Sequence, residues 1–251
     1  SDGEASSAAN ELNTGQVLRI IEKFKKAGVK IISFTGGEPL LREDIGNILA
    51  SCAEQKIQSR MNSNGSLVPL RINEIRHLDF MNLSLDGPEE INDQLRGRGA
   101  FKKTIQAAQV AFESGIKLGF QAVLSVGNLD LKCSNFVVET AKKFNAFVVF
   151  QPAFNNLLRG QGRNPVTPDV ATYRKAIDHL IRLKREGANI GNSLTGLRYL
   201  YSWPDGRRIR CAGEFIFRRI DAEGNLMYCG VEEKPLNMGN CLRKDIGELF
   251  S

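Results

Sequence analysis

The sequence predicts an α/β fold built on a parallel sheet, and three observations point to it. Helix-period and strand-like segments alternate from Gln16 to Phe150. The strand-like runs are separated by helix-length stretches instead of tight turns, which implies βαβ crossovers. The chain has 251 residues, of which 42% are hydrophobic and 25% charged, enough for one large α/β domain with an appendage.

The elements follow in order. A first helix places Val17, Leu18, Ile21 and Phe24 on one face, with Gly28 as its stop signal. The β-rich run Lys30–Phe34 comes next. A second helix carries Leu41, Ile45, Ile48, Leu49 and Cys52 on one stripe. Strands are expected near Ile57–Met61, Phe80–Leu85, Lys117–Leu124 and Ala146–Phe150. The intervening helices are marked by Ile105, Ala108 and Phe112, and by Phe136, Val137, Ala141 and Phe144. Residues 155–165 read as a long loop. Thr167-Pro168-Asp169 then reads as a cap with proline in the first turn, opening a helix through Tyr173, Ile177, Leu180 and Leu183. Last comes a hairpin, with Phe215–Phe217 and Leu226–Tyr228 joined by Asp221-Ala222-Glu223-Gly224. A complete α/β barrel would open on a strand, whereas this chain opens on a helix. The expectation is a barrel whose first strand is missing from the chain, with the polar leader as a remnant, tag or linker.

Lys and Arg number 34 against 28 Asp and Glu, a net charge of +6 without a basic block. That balance suits anionic small molecules or a weakly acidic partner, and makes nucleic acid an unlikely one. No apolar run nears the roughly 18 residues that span a bilayer, and SDGEASSAAN has no signal-peptide pattern, so a soluble, cytoplasmic chain is expected. Five scattered cysteines do not suit a disulfide scaffold.

The densest chemical signal is Ser33-Phe34-Thr35-Gly36-Gly37-Glu38-Pro39-Leu40-Leu41, where an apolar strand ends in two glycines that let backbone approach a ligand. Pro39 stiffens the exit. The carboxyl ends of parallel strands are where such folds bind ligands. An ordinary βα turn with two glycines is the alternative for this stretch alone.

Further stretches accompany it. Ser63-Asn64-Gly65 follows one strand, and Asn82-Leu83-Ser84-Leu85-Asp86-Gly87-Pro88 follows the next, continued by Ile91-Asn92-Asp93 and Leu95-Arg96-Gly97. Gln151-Pro152 closes the last strand of the series. In this order and spacing, residues 12–154 resemble the radical S-adenosylmethionine (radical SAM) superfamily, with its GGEP, Asn-Gly and SLDGP stretches.

The resemblance implies a partial (β/α)6 TIM-like barrel that holds S-adenosylmethionine and a 4Fe-4S cluster at the strand ends. The reduced cluster cleaves S-adenosylmethionine to a 5′-deoxyadenosyl radical, which abstracts hydrogen from substrate. By the same resemblance Gly36, Gly37, Glu38 and Pro39 border the methionine amino group, largely through backbone. Ser84, Asn62 and Arg96 contact ribose or methionine, and Gln151 and Pro152 lie near adenine. An electron donor such as flavodoxin or ferredoxin is implied. The catalytic side chains are not indicated.

The superfamily's C-x3-C-x2-C loop has no counterpart, because no cysteine precedes Cys52. Thiolates are the ligands such a cluster needs. Two readings stay open: the segment is absent from this chain, which is inactive as it stands, or the protein is a non-catalytic barrel that binds a nucleotide-like ligand or a peptide.

Near the C-terminus, Cys211 and Cys229 with Gly224 between them form C-x12-G-x4-C, which resembles the opening of the SPASM or shorter twitch domain. This implies an auxiliary iron–sulfur cluster on Cys211 and Cys229. Cys241 is a further candidate metal ligand, or a core residue. The expected organisation is a barrel over 1–154, a connecting loop and helix over 155–200, and an incomplete auxiliary domain over 201–251. Substrates implied by the resemblance are peptides or small metabolites, modified by oxidation, epimerisation or cross-linking. Arg207, Arg208, Arg210, Arg218 and Arg219 are read as a solvated face, with an anionic substrate or an acidic peptide as the alternative, and Trp203 and Tyr201 as core or rim residues, with the lining of a substrate cleft as theirs.

Overall fold

The computed structural model describes residues 11–153, 164–203, 217–227, 237–244 and 247. Among these, eight α-helices and eight strands alternate first and then segregate. Strands β1 (Ile31–Phe34), β2 (Gln58–Ser63), β3 (Phe80–Ser84), β4 (Lys117–Leu124) and β5 (Phe147–Pro152) form one sheet in sequential order. Pairing from β2 to β5 is parallel, with Asn62 beside Asn82, Asn82 beside Gly119 and Gly119 beside Phe147. The βαβ expectation holds because each crossover carries a helix: α2 (Ile45–Glu54), then α3 (Val68–Arg71), then α4 (Glu89–Arg96) with α5 (Ala100–Glu113), then α6 (Leu131–Lys143).

By contacts the chain divides into two units. The larger comprises 34–41 and 60–208. Its strands alternate as a half-covered sheet does. Met61, Met81, Leu83, Leu118, Phe120, Ala122, Val148 and Phe150 are buried on one face, where α5 and α6 pack. Asn62, Asn82, Ser84, Gln121 and Gln151 lie half-buried on the other. Gly119 has no side chain for a steric reason. A Cβ there would sit 2.6 Å from Asn82 Oδ1 and 2.7 Å from Phe80 Cζ, so its absence lets the Phe80 and Phe147 rings stack at 5.1 Å. Beyond β5 the chain forms α7 (Val170–Arg185) and returns along the sheet edge. There Ile190 bridges Val148, Val148 donates to Asn189 O, and the Asn192 amide closes on Phe150. A short helix α8 (Leu194–Tyr201) follows, with Ser193 accepting from Gly196 N as its cap.

The second unit comprises 1–33, 42–59 and 209–251. It contains α1 (Thr14–Lys26), whose capping box is closed by Asn13 and Gln16, and whose last turn carries three lysines favourable to its dipole. It also contains a three-stranded antiparallel sheet of β6 (Arg219–Ile220), β7 (Asn225–Met227) and β8 (Asn237–Asn240). Leu12, Ile20 and Phe24 share one apolar cluster with Leu226 and Cys241. The small sheet therefore buries its apolar face against the first helix.

Several expectations are corrected. Leu41 is 72% exposed and belongs to a 3-10 turn, Pro39–Leu41, not to the α2 stripe. Asp169, not Thr167, caps α7 by accepting from Thr172 N, so Pro168 lies outside the helix. Phe217 is not in a strand, and the hairpin arm is Arg219–Ile220. Phe215, Ile216 and Tyr228 lie outside the described residues. The Asp221–Gly224 turn stands where expected, with Gly224 N donating to Asp221 O and Gly224 at φ +87°.

Candidate cofactor site

The strand ends of the larger unit are tied together by side chains from the recognised motifs. After β1, the Glu38 carboxylate accepts from Ser63 Oγ at 2.9 and 3.0 Å, from Asn64 N at 2.8 Å and from Leu40 N at 3.2 Å. One carboxylate thus joins the loop after β1 to the loop after β2. Arg71, on α3, also donates to Leu40 O, holding the same loop from behind. Gly65 completes the turn at φ +83°, and a Cβ there would meet Ala107 Cβ at 3.0 Å. Ser63, Asn64 and Arg71 acquire supporting roles that the motif alone did not assign.

The glycines they support are open. Gly36 and Gly37 are exposed, and a Cβ added to either would meet no chain atom within 4 Å. Backbone polar groups at this edge are therefore free to meet a ligand.

After β3, Asp86 is buried and fully used. It accepts from Val123 N at 2.8 Å and pairs with Arg96 Nε at 2.6 Å. Asp86 N donates to the buried Asn92, and Asp86 O accepts from Asn128 Nδ2. The Asp-Gly-Pro turn is thus anchored to β4 and α4. Arg96 has its Nε committed to Asp86. Asn62 Oδ1 accepts from Asn82 Nδ2 at 3.0 Å. The atom Asn82 Oδ1 is buried with no partner among the described residues. Ser84 and Gln151 lie half-buried on the open face, on the strands either side of β4, with Ser84 beside Gln121 and Gln151 beside Val123.

The cysteines are dispersed. Cys52 and Cys133 are buried on α2 and α6, and burial pushes the Cys133 thiol up, assisted by Asp130. Cys241 is wholly buried in the α1 cluster, where burial raises its thiol to about 11. Such surroundings favour the neutral thiol. The Cys241 side chain packs against Leu12, Ile20, Phe24 and Leu226. Cys211 and Cys229 lie outside the described residues, as do Arg207, Arg208 and Arg210. Among the described residues no His, Cys, Asp and Glu group could hold a metal ion. Trp203 packs on Tyr173 at 4.8 Å, and Tyr201 lies under Arg174.

Over residues 3–128, half of its length, the sequence matches the Radical SAM superfamily, and the chain belongs to that superfamily. S-adenosylmethionine and a 4Fe-4S cluster are the cofactors of its enzymes. An Fe-coproporphyrin III synthase of Methanosarcina barkeri is 28% identical over 186 residues, covering 70% of this chain and 45% of that protein. A PqqA peptide cyclase of Granulibacter bethesdensis is 28% identical over 135 residues, covering 51% of this chain and 35% of that protein. The chain thus spans less than half the length of either relative. The crystal structure of Streptococcus suis SuiB bound to precursor peptide SuiA matches with a TM-score of 0.70 at 20% identity, covering 93% of this chain and 56% of SuiB. That likeness shows the fold, a partial TIM-like α/β barrel.

The residues present fit S-adenosylmethionine, because the Gly36–Gly37 edge is open and the adjoining strand ends present half-buried amides and a hydroxyl. They do not fit the catalytic cluster, for the C-x3-C-x2-C set is not in this sequence and the described cysteines are buried on separate elements.

Proposed function

We propose that this protein is a radical SAM enzyme of the SPASM/twitch subgroup that modifies a peptide. The observation supporting it most is the tie between Glu38, Ser63 and Asn64, which leaves the Gly36–Gly37 edge clear at the carboxyl end of β1. In this reading Gly36 and Gly37 take the methionine amino and carboxylate groups through backbone, and Glu38 acts by fixing the loop. Pro39 limits how far the loop can open. Ser84, Asn62 and the free nitrogens of Arg96 meet ribose or methionine, and Gln151 and Pro152 border adenine. Given one electron by a reduced 4Fe-4S cluster, S-adenosylmethionine would supply hydrogen-atom abstraction from an unactivated C–H bond, with methionine as the leaving group.

The peptide reading is supported by the named PqqA peptide cyclase relative and by a fold neighbour whose structure includes a precursor peptide. The subgroup reading is supported by the Cys211–Gly224–Cys229 spacing, the turn at Gly224 and the antiparallel sheet around it. Cys211 and Cys229 would ligate an auxiliary cluster while Cys241 stays in the core. The electron donor would be a flavodoxin or ferredoxin, and the setting cytoplasmic; no helix among the described residues is long and apolar enough to cross a membrane.

The test is anaerobic turnover by a form that includes a C-x3-C-x2-C segment upstream of Ser1. Dithionite and S-adenosylmethionine should yield 5′-deoxyadenosine, and a peptide substrate should change mass. Absence of 5′-deoxyadenosine from the cluster-loaded form would favour the non-catalytic binding module, and turnover with a small metabolite alone would overturn the peptide assignment.

A further inference from the structure

A basic groove lies on the helical layer of the larger unit. It runs along α7 between α6 and α8, as two adjoining hollows of about 270 and 520 Å³ that share Asp178, Ile181 and Arg185. Its cations are Lys175, Arg182 and Arg185 from α7 and Arg198 from α8. All four are exposed, and none forms an ion pair with a described residue. The single carboxylate among them is Asp178. The floor is apolar: Ile181 is buried, and Leu131 and Tyr201 are each 38% exposed at the two sides. Arg174 holds the Tyr201 wall, donating to Tyr201 O while its guanidinium lies 5.5 Å from the ring centre.

The arginine end of the groove is far along the chain direction from the cofactor edge. Lys184 donates to Ile190 O and Asn189 to Ala146 O, so the last turn of α7 adjoins the beginning of β5, opposite the Gln151-Pro152 end.

We propose that this groove is a docking site for an acidic peptide segment that also carries apolar side chains. Four unpaired cations against one carboxylate set the charge of the occupant. The apolar floor and the central Asp178 favour a peptide over a nucleic acid. A regular phosphate backbone would meet Asp178 unfavourably and leave Ile181, Leu131 and Tyr201 uncovered, whereas a peptide can place N–H groups at Asp178 and an aliphatic side chain on the floor. This inference does not depend on the reacting substrate being a peptide.

The test uses fluorescence anisotropy with a fluorescein-labelled synthetic peptide of glutamates interspersed with leucines, on the protein at low salt. A glutamine-for-glutamate peptide and labelled single-stranded DNA serve as competing probes. Saturable binding of the acidic peptide is expected, weakened about tenfold in the doubly substituted Arg182→Glu, Arg185→Glu protein and less in Arg198→Glu. Lys103→Glu, an exposed cation on α5, the helix that packs on α3, α4, β3 and β4, should leave it unchanged. Circular dichroism confirms that each variant is folded. No binding of the acidic peptide, equal binding of the glutamine peptide, equal weakening by Lys103→Glu, or tighter binding of the DNA with the same variant pattern would each overturn the proposal.

Discussion

Replacing Glu38 by glutamine removes a charge without changing shape, and its consequence can be worked from four hydrogen bonds. In the native loop Oε1 accepts from Leu40 N and Ser63 Oγ, while Oε2 accepts from Asn64 N and Ser63 Oγ. A glutamine keeps one acceptor oxygen. If that oxygen stays on the Asn64 side, its NH2 group faces Leu40 N, donor against donor. One charge-assisted bond is then lost and the others weaken, at about 1.5–3 kcal/mol for a hydrogen bond to a charged group. A loss near 2 kcal/mol corresponds to roughly thirtyfold in the population of the ordered loop. If that order positions Gly36 and Gly37, affinity for S-adenosylmethionine should fall by about ten- to thirtyfold in Glu38→Gln. Ser63→Ala, which removes one neutral donor, should cost about 1 kcal/mol. Titration calorimetry measures both, with circular dichroism to establish that the variants fold. Folded Glu38→Gln protein binding within twofold of the parent would refute the positioning role.

Other variants separate scaffold from site. Gly119→Val should lower unfolding free energy by about 3 kcal/mol in urea titration, because its side chain would begin 2.6 Å from Asn82 Oδ1. Asp86→Asn should cost about 2 kcal/mol by the same measurement, since it breaks a pair whose arginine stays partly in water. Iron analysis after anaerobic reconstitution should show Cys211→Ala and Cys229→Ala each losing the auxiliary share, while Cys241→Ala keeps it and loses about 1 kcal/mol of stability. The Cys241 thiol also gives an alkaline signature. Burial raises it from 9.0 to about 11, so its contribution is whole below pH 9.0 and is lost as pH rises through that interval. Unfolding free energy measured across the interval should fall less steeply in Cys241→Ala.

The parallel sheet was legible because β2 to β5 alternate covered and open positions, as at Lys117–Leu124, where expected and observed limits coincide. Leu41 misled because it continues the spacing of Ile45 and Ile48, while the chain breaks at Arg42–Asp44. There Asp44 accepts from Thr14 and pairs with Arg42, instead of capping α2 through its side chain. The start of α7 was misplaced because Thr167-Pro168 has the composition of a cap, and only geometry shows Asp169 reaching Thr172 N. Short helices such as α3 and α4 span too few turns to display a period. At the site, the glycines and the Asp-Gly-Pro turn were visible as motifs. The Glu38 tie to Ser63 and Asn64 joins residues 25 and 26 positions apart, a proximity that no local pattern encodes. Cys241 could be read as ligand or core, and its packing with Leu12, Ile20 and Phe24 arises from the far end of the chain.

Calorimetric titration of S-adenosylmethionine into the chain and its Gly37→Val variant tests the central claim most directly. Gly37 has open space around it and is not held at positive φ, so valine should leave the fold intact while filling the space that a bound ligand needs. The expected result is single-site binding by the parent and none by the folded variant. Equal affinity in both, with matching circular dichroism, would show that the cofactor does not bind at the end of β1.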